Sequence, residues 1–290
     1  MNNTPPLVFE SFLIKDILSD AKNQLSEVSN SPALDAELLL AHCLEENRTY
    51  LHTWPERCIT EKQMSFYQGF VTKRATDYPI AYLLGTQSFW TLDLMVTPDV
   101  LIPRPETELL VEIALEKLQS IKSPKVLDLG TGSGAIALAI ASERPDARVI
   151  ASDYSATALD IARKNAVNNN LDNQVEIIQS NWFSNINESD FDLIVSNPPY
   201  ISADDPHLKQ TIRFEPRSAL VAHDGGMKDI ETIITQSLPR LTNNRWLLIE
   251  HGYNQAEQTQ TLLFEHFYAS IETRIDYNEN QRVTIAYKRI

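Results

Sequence analysis

The sequence has few cysteines and lacks any long apolar run. Only two cysteines, Cys43 and Cys58, occur in 290 residues, and no further cysteine or paired histidine accompanies them to complete a zinc site. We therefore interpret both as reduced thiols and predict no metal site. The longest uninterrupted apolar run, 135–141, is far too short to span a bilayer.

Basic residues are also in deficit, since 25 Lys and Arg against 39 Asp and Glu give a formal net charge of −14. This argues against a broad basic surface for nucleic acid and leaves only a local basic groove open. The acidity serves either solubility or the steering of a basic protein partner. The N-terminus, MNNTPPLVF, has no basic segment leading into a long apolar one, so we expect a cytoplasmic protein.

Glycine is nearly absent from the first 84 residues, where apolar residues recur at helical spacing. In SPALDAELLLAHCL, Leu34, Leu38 and Ala41 fall on one face. Ser31 followed by Pro32 indicates a helix start, because serine can cap free amides and proline needs no amide at the first helical position. We predict a helical domain over residues 1–85. The alternating segment that begins at Gly85 predicts a β-hairpin connector over residues 86–106.

The remaining residues, 107–290, alternate strand-like and helix-like segments after a first helix that begins at Thr107. Short apolar runs occur at 126–129, 149–152, 175–178, 193–195 and 246–249. This order predicts βαβ units and a parallel sheet with helices on both faces. Two further strands, 271–277 and 283–288, are joined by a segment too short for a helix, so they should pair antiparallel. The prediction is an α/β domain with a seven-stranded, mainly parallel sheet.

A glycine-rich turn follows the first of these strands in VLDLGTGSGAIALAIA. Glycines there permit positive φ and close approach of a ligand to the backbone, beside the unpaired amides of a helix start. Asp153 ends the next strand, where a carboxylate can accept both hydroxyls of a ribose. The order GxGxG, with Asp128 two residues ahead, suits S-adenosylmethionine better than a dinucleotide. The alternatives are a tight turn without ligand and, for Asp153, a helix cap.

Two further segments end strands at the same carboxyl edge. In QSNWF, Asn181 and Trp182 can hold an adenine ring by a hydrogen bond and by stacking, although a tryptophan there can also be core packing. In SNPPY, each proline fixes its φ at about −65° and has no N–H to occupy neighbouring acceptors. The side-chain carbonyl of Asn197 and the backbone carbonyl of Pro198 are then both free to accept from one NH₂ group.

A planar amino group, whether an amide or a base amine, needs such a pair of acceptors. They can orient its lone pair toward a sulfonium methyl and stabilise the positive charge that develops on nitrogen. Tyr200 offers a flat face on which a planar substrate can stack. The alternative is a plain strand stop with an incidental Asn and Tyr.

Together, DLGTGSGAIALA, SNPPY and LIPRPETE resemble the HemK/PrmC family, the S-adenosylmethionine-dependent methyltransferases that modify the glutamine side-chain amide of class-1 peptide chain release factors. DAELLLAHCL, FWTLDLMVTPDVLIPRPETELLVE and EPRSAL extend the similarity over nearly the whole chain. The resemblance implies a Rossmann-like methyltransferase domain preceded by a helical substrate-recognition domain. It also implies methylation at N5 of the glutamine in the Gly-Gly-Gln motif, which supports translation termination.

The resemblance assigns roles to residues that match the family motifs. It implies that the donor, which leaves as S-adenosylhomocysteine, is bound by Gly130, Thr131, Gly132, Ser133, Gly134, Asp153, Asn181, Trp182 and Asn197. It implies that Asn197, Pro198, Pro199 and Tyr200 hold the glutamine, with Asn197, Pro198 and Tyr200 catalytic. Asn181 departs from the family, since many relatives have Asp before the Trp. The expected partner is a release factor, without nucleic acid or membrane, and the expected state is a monomer.

Two other function classes stay open on these motifs. DNA adenine and RNA guanine amino methyltransferases share Asn-Pro-Pro-Tyr, and a basic stripe beside the pocket would favour them, but the segment 201–217 contains no Lys/Arg cluster. The third class is a noncatalytic domain that binds S-adenosylmethionine or scaffolds the release factor. Arg104 and Glu106 in PRPETE either close over the substrate pocket or form a structural ion pair in the connector.

Overall fold

The computed structural model describes residues 12–209, 211–222 and 224–289. The chain divides into two compact units between Leu84 and Gly85. No helix within the described ranges is long and apolar enough to cross a membrane.

The first unit is helical, as predicted. Its helices are α1 (Ile14–Leu25), α2 (Pro32–Leu44), α3 (Arg48–Thr53), α4 (Glu61–Arg74) and α5 (Ile80–Leu84). Their buried faces form one apolar core. The core-facing stripe of α2 is Ala36, Leu39 and Leu40, whereas Leu34 is 38% exposed. The predicted face of Leu34, Leu38 and Ala41 is therefore wrong at Leu34, whereas Ala41 is buried in the core, because this leucine-rich helix contains two sets of residues at helical spacing.

Side-chain caps are present at some helix starts in this unit and absent at others. Pro32 is the first residue of α2 as predicted, but the Ser31 side chain makes no capping hydrogen bond. Its backbone lies at φ −140° and ψ 59°, outside the extended region typical of a capping residue. At α4, by contrast, Thr60 and Gln63 form a reciprocal capping box.

The second unit begins with the predicted β-hairpin, in which β1 (Thr86–Phe89) and β2 (Leu92–Met95) pair antiparallel. Phe89 and Leu94 are buried in the same apolar cluster as Leu110 of α6 (Glu108–Leu118). The hairpin therefore packs into the apolar cluster that also contains residues of α6. This packing also positions the segment that follows the hairpin.

The rest of the second unit is a seven-stranded sheet with helices and two short strands. The elements are β3 (Lys125–Leu129), α7 (Ala135–Glu143), β4 (Arg148–Asp153), α8 (Ala156–Asn168), β5 (Val175–Gln179), β6 (Phe191–Ser196), β7 (Ile201–Ser202), α9 (Arg217–Leu220), β8 (Val221–Ala222), α10 (Lys228–Ser237), β9 (Leu241–Glu250), α11 (Ala256–Glu265), β10 (Tyr268–Ile275) and β11 (Gln281–Lys288). The sheet order is β10-β11-β9-β6-β3-β4-β5. β10 and β11 pair antiparallel with each other, and β11 also pairs antiparallel with β9. The other five strands pair parallel, as predicted.

Both faces of the sheet are buried. Along β6, Leu193 and Val195 lie in one apolar cluster with α6 and α7, whereas Ile194 lies in another with α10 and α11. Successive residues of a strand point to opposite faces, so each inner strand contributes to both clusters. Strands covered on both sides leave only their ends accessible.

The strand order reverses beside β3. From β3 the chain continues outward to β4 and β5, and then returns to β6 on the other side of β3. Such a switch point opens a crevice at the carboxyl ends of the strands, where open α/β sheets bind ligands. The turns after β3, β4, β5, β6 and β9 all lie at this edge.

Candidate active site

The glycine turn after β3 is held by neighbouring strands and by its own backbone conformation. Gly130 and Gly134 have φ of +74° and +89°. The N–H groups of Gly130 and Thr131 donate to the Ser152 carbonyl of β4 at 2.8 and 2.9 Å. A Cβ on Gly134 would lie 3.1 Å from Leu138 Cδ1, so both conformation and space favour glycine there.

Asp153 joins the glycine turn to the start of α8. Its Oδ2 accepts from the Gly132 N–H and its Oδ1 from the Ser155 N–H, each at 2.9 Å. The helix cap itself is Ser155, whose side chain accepts from the Ala158 N–H at 3.2 Å. Burial raises the pKa of Asp153. Each carboxylate oxygen has two acceptor sites, so both oxygens keep capacity for ligand hydroxyls.

Asp128 lies beneath the turn and is fully buried. Its Oδ2 accepts from Thr131 Oγ1 at 2.6 Å and from the Ala137 N–H at 3.2 Å. Its Oδ1 has no hydrogen-bond partner among the described residues. Burial raises the pKa of Asp128 to about 7. The Thr131 side chain is thus directed toward Asp128, inside the turn.

A cavity of about 230 Å³, called the larger cavity below, lies at this edge. Residues that line it include Asp99, Leu101, Gly130, Gly132, Asp153, Asn181, Trp182, Asn197, Pro199, Ala219 and Asp229. Trp182 is partly buried, and its ring lies 3.6 Å from the position of a Cβ on Gly130. Its indole N–H donates to Asp229 Oδ1 at 3.2 Å. Thr131, Ser133 and Gly134 belong to the turn but do not line this cavity.

A second cavity of about 120 Å³, called the smaller cavity below, lies on the other side of Asn197. Its walls are Leu101, Arg104, Asn197, Pro198, Tyr200, Ile201, Ile212, Ala219 and Leu220. Asn197, Leu101 and Ala219 line both cavities. The structure therefore brings Pro198 and Tyr200 to the smaller cavity and Pro199 to the larger one.

Glu215 connects the two segments PRPETE and EPRSAL. This buried carboxylate forms an ion pair with Arg104, and its Oε2 accepts from the Ile102 N–H at 3.0 Å. The ion pair of Arg104 thus reaches outside the connector. Because Arg104 also lines the smaller cavity, the same pair holds the wall of that cavity in place.

Asn197 is held from behind by two buried polar residues. Its Nδ2 donates to Thr107 Oγ1 at 3.2 Å. Thr107 and Asn197 both act as hydrogen-bond donors to Glu250, the last residue of β9, which is 1% exposed. Glu250, Thr107, Glu215 and Asp229 were not assigned a site role from the sequence. Two signals were present in the sequence: Glu215 stands in the EPRSAL segment, and Glu250 is a carboxylate directly after the apolar run WLLI.

The lining of the larger cavity fits S-adenosylmethionine. Glycine backbone is available for its amino-acid end, a carboxylate for its ribose hydroxyls, and an amide and an indole for its adenine ring. Asp128 lies beneath the turn and is not among the residues that line this cavity, so it supports the turn from below.

Comparisons with known proteins identify the class of the chain. Residues 106–236 match the family model described as the methyltransferase small domain, and residues 16–85 match the PrmC N-terminal domain. In fold, the chain is similar to the 16S rRNA N2 G1207 methyltransferase of T. thermophilus in complex with AdoMet and guanosine, with a TM-score of 0.53 and 21% identity over 70% of this chain and 50% of that chain. The fold and site define an S-adenosylmethionine-dependent methyltransferase.

Relatives in sequence are more specific. The release factor glutamine methyltransferase of Aliivibrio fischeri is 47% identical over 261 residues, which are 89% of this chain and 91% of the relative. That of Escherichia coli is 46% identical over 269 residues, 92% and 96% of the two chains. This chain belongs to the release factor glutamine methyltransferase family, and the resemblance to HemK/PrmC proteins is confirmed.

Proposed function

We propose that this chain transfers a methyl group from S-adenosylmethionine to N5 of the glutamine in the Gly-Gly-Gln motif of class-1 peptide chain release factors, and so supports translation termination. The observation that carries the proposal is the position of Asn197, which lines both the larger and the smaller cavity. Leu101 and Ala219 also line both cavities, and Asn197 supplies the polar side chain at this boundary, so a group in one cavity can meet a group in the other beside it.

The larger cavity is the proposed site of the cofactor. S-adenosylmethionine supplies an electrophilic methyl group and leaves as S-adenosylhomocysteine. Asp153 accepts from the ribose hydroxyls, and the glycine turn offers its backbone to the amino-acid end. Asn181 and Trp182 hold the adenine ring, for which a neutral amide at 181 suffices because the ring needs a hydrogen bond and no charge.

The smaller cavity is the proposed site of the glutamine side chain. The Asn197 side-chain carbonyl and the Pro198 backbone carbonyl accept from the amide NH₂, while Tyr200, Ile212 and Leu220 surround the planar group and its methylene stem. The two acceptors stabilise the positive charge that develops on nitrogen as the N–C bond forms. The extra proton on nitrogen is then acidic and is lost to water, so no strong general base is required.

The first unit and the acidic surface are the proposed means of selecting the protein substrate. We assign release-factor recognition to residues 1–85, with residues 86–106 as the connector and 107–290 as the methyltransferase domain. A net charge of −14 would speed encounter with a basic release-factor tip. The association rate should then fall as salt is raised, and a rate insensitive to salt would exclude this steering. We propose that the chain acts as a monomer, in the cytoplasm with its substrate.

The decisive experiment is methyl transfer from labelled S-adenosylmethionine to candidate acceptors. Purified release factor, the same factor with the Gly-Gly-Gln glutamine replaced by alanine, and mixed DNA and RNA are each incubated with the chain. We expect label only on the unmodified factor, located by mass spectrometry at that glutamine amide. Label on a base amine would instead assign the nucleic-acid class, and label on the alanine variant would exclude this glutamine as the target.

A further inference from the structure

Glu250 is a buried carboxylate for which the proposed reaction has no direct use. It ends β9 at the same sheet edge as the two cavities, it is 1% exposed, and its Oε2 has no hydrogen-bond partner among the described residues. It is absent from the walls of both cavities. A buried, incompletely satisfied carboxylate is costly to the fold, which points to a role in the site.

The contacts of Glu250 lead directly to Asn197. The Asn197 Nδ2 donates to Thr107 Oγ1 at 3.2 Å, and Thr107 in turn donates to Glu250. Asn197 also donates to Glu250. Thr107 is 4% exposed, so water does not compete for these groups. Glu250 and Thr107 therefore form an acceptor set behind the amide of Asn197.

The chemistry of this set decides which way the Asn197 amide points. An ionised carboxylate accepts hydrogen bonds and cannot donate, so only the NH₂ end of an amide can face it. The hydroxyl of Thr107 is committed as a donor to Glu250 and is left as an acceptor toward Asn197. With the NH₂ end turned inward, Oδ1 is left at the cavity side, and among the described residues no group donates to it.

We propose that Glu250 is a positioning residue for methyl transfer: together with Thr107 it holds the NH₂ end of Asn197 inward, so that the Asn197 carbonyl faces the amide of the substrate. This inference rests on the proposed function. Glu250 does not touch the substrate and takes no proton from it. It acts by excluding the flipped amide, which would present two N–H groups to a substrate NH₂ and repel it.

The charges around Glu250 make its protonation state sensitive to pH. Burial raises the pKa of Glu250 to about 7, and the negative charge of Glu106 also raises it. The hydrogen bonds from Thr107 and Asn197 and the positive charge of Arg282 on β11 lower the same pKa. Tyr200 also faces Glu250, and burial raises the Tyr200 pKa, so this phenol stays neutral at pH 8. Below pH 7 Glu250 gains a proton, becomes a donor, and no longer excludes the flipped amide.

The test compares wild type with Glu250→Gln, which keeps the shape of the side chain but can donate as well as accept. Single-turnover methyl transfer to release factor is measured at saturating S-adenosylmethionine, so that titration of Asp128 near the cofactor does not enter. We expect Glu250→Gln to be roughly 10–100-fold slower at pH 8, the effect of one hydrogen bond to a charged group. Wild type should slow several-fold from pH 8 to pH 6, while Glu250→Gln should show a flat profile.

Two further measurements separate positioning from damage to the fold. Removing a buried charge should leave the Tm of Glu250→Gln at pH 8 equal to or above that of wild type, and its Kd for S-adenosylmethionine unchanged. The control is Asp192→Asn near the start of β6, the strand whose last residue precedes Asn197; Asp192 accepts from the Lys125 N–H at 2.9 Å and binds Arg245. It should keep the wild-type rate within about twofold, since this partly buried ion pair lies at the far end of β6 from Asn197 and contributes to stability alone.

Three outcomes overturn the proposal: a wild-type rate in Glu250→Gln, an unchanged fall in rate between pH 8 and pH 6 in that variant, or an equal loss of rate in Asp192→Asn. None of them bears on the proposed function, which fails only if wild type leaves the glutamine unmodified.

Discussion

Two turns at the same sheet edge, after β3 and after β6, are built in opposite ways. The turn after β3 depends on glycines with positive φ, and it directs backbone N–H groups along its path. The turn after β6 depends on Pro198 and Pro199, which have no N–H to donate. The proline turn therefore offers acceptors to a substrate NH₂, whereas the N–H groups of Gly130, Thr131 and Gly132 donate within the protein and the glycine turn offers close approach to its backbone. We call the glycine turn, beside the proposed site of the methyl donor, the donor turn, and the proline turn the acceptor turn.

A buried carboxylate stands behind each turn. Asp128 lies behind the glycine turn and Glu250 behind the proline turn, each with one oxygen that lacks a partner among the described residues. Burial raises the pKa of each to about 7. Each turn thus has a buried carboxylate behind it, although the backbones of the two turns differ. Substitutions at each turn can therefore test the two turns separately.

The largest expected effect is on the acceptor turn. Asn197→Ala removes one of two transition-state hydrogen bonds, typically about 2.7–4 kcal/mol, so kcat should fall roughly 100- to 1,000-fold. The Kd for S-adenosylmethionine, measured by calorimetry, should change little because the donor turn is intact. The exposed Asn168→Ala on α8 is the matched control. Normal turnover in Asn197→Ala would contradict the assigned chemistry.

Beside the donor turn, at the end of β4, the same kind of deletion should act on cofactor binding. Asp153→Ala removes hydrogen bonds to a charged acceptor, each about 1.5–3 kcal/mol, so the Kd for S-adenosylmethionine should rise roughly 10- to 100-fold. Turnover at saturating cofactor should be affected much less. Asp160→Ala, an exposed residue of α8, should leave the Kd as it is. An unchanged affinity in Asp153→Ala would remove the ribose assignment.

Replacement of a single glycine tests whether the conformation of the donor turn requires glycine. Gly134→Ala places a Cβ at φ +89° and 3.1 Å from Leu138 Cδ1, which should cost about 1–2 kcal/mol of unfolding free energy. Gly69→Ala in α4, where nothing lies within 4 Å of the added Cβ, should instead stabilise by about 0.5–1 kcal/mol. Chemical denaturation measures both, and opposite signs are the required result.

The smallest expected effect concerns Asp128. Because its folded pKa is raised to about 7, its contribution to stability is present below the unfolded pKa and is lost as pH rises through 7. The Tm of Asp128→Asn should therefore fall less between pH 5 and pH 8 than the Tm of wild type does. Thermal unfolding at the two pH values checks this. An unchanged pH dependence in the variant would mean that Asp128 stays ionised in the fold.

Much of the second unit follows from the sequence. Strand length, glycine placement and the change from helical to strand spacing predicted all seven sheet strands and the antiparallel pair at the end. The stripe of α6 was also predictable, because Leu110, Val111, Ala114 and Leu118 are the apolar residues at helical spacing and all are buried. Where spacing was ambiguous, as in the leucine-rich α2, the choice of face depended on neighbouring helices.

The candidate site shows the same difference between features set by the local sequence and features set by neighbouring elements. The two turns could be predicted from the sequence, since Gly134 and the Pro198-Pro199 pair restrict their own backbones locally. The tertiary structure alone decided what stands behind them: Glu250, Thr107 and Asn197 come from three distant segments. They meet because the sheet order places β9 beside β6. Hydrogen bonds between such distant segments produce no periodic pattern in the sequence from which they could be predicted. Local conformation is encoded residue by residue, whereas the orientation of the Asn197 amide requires the assembled edge.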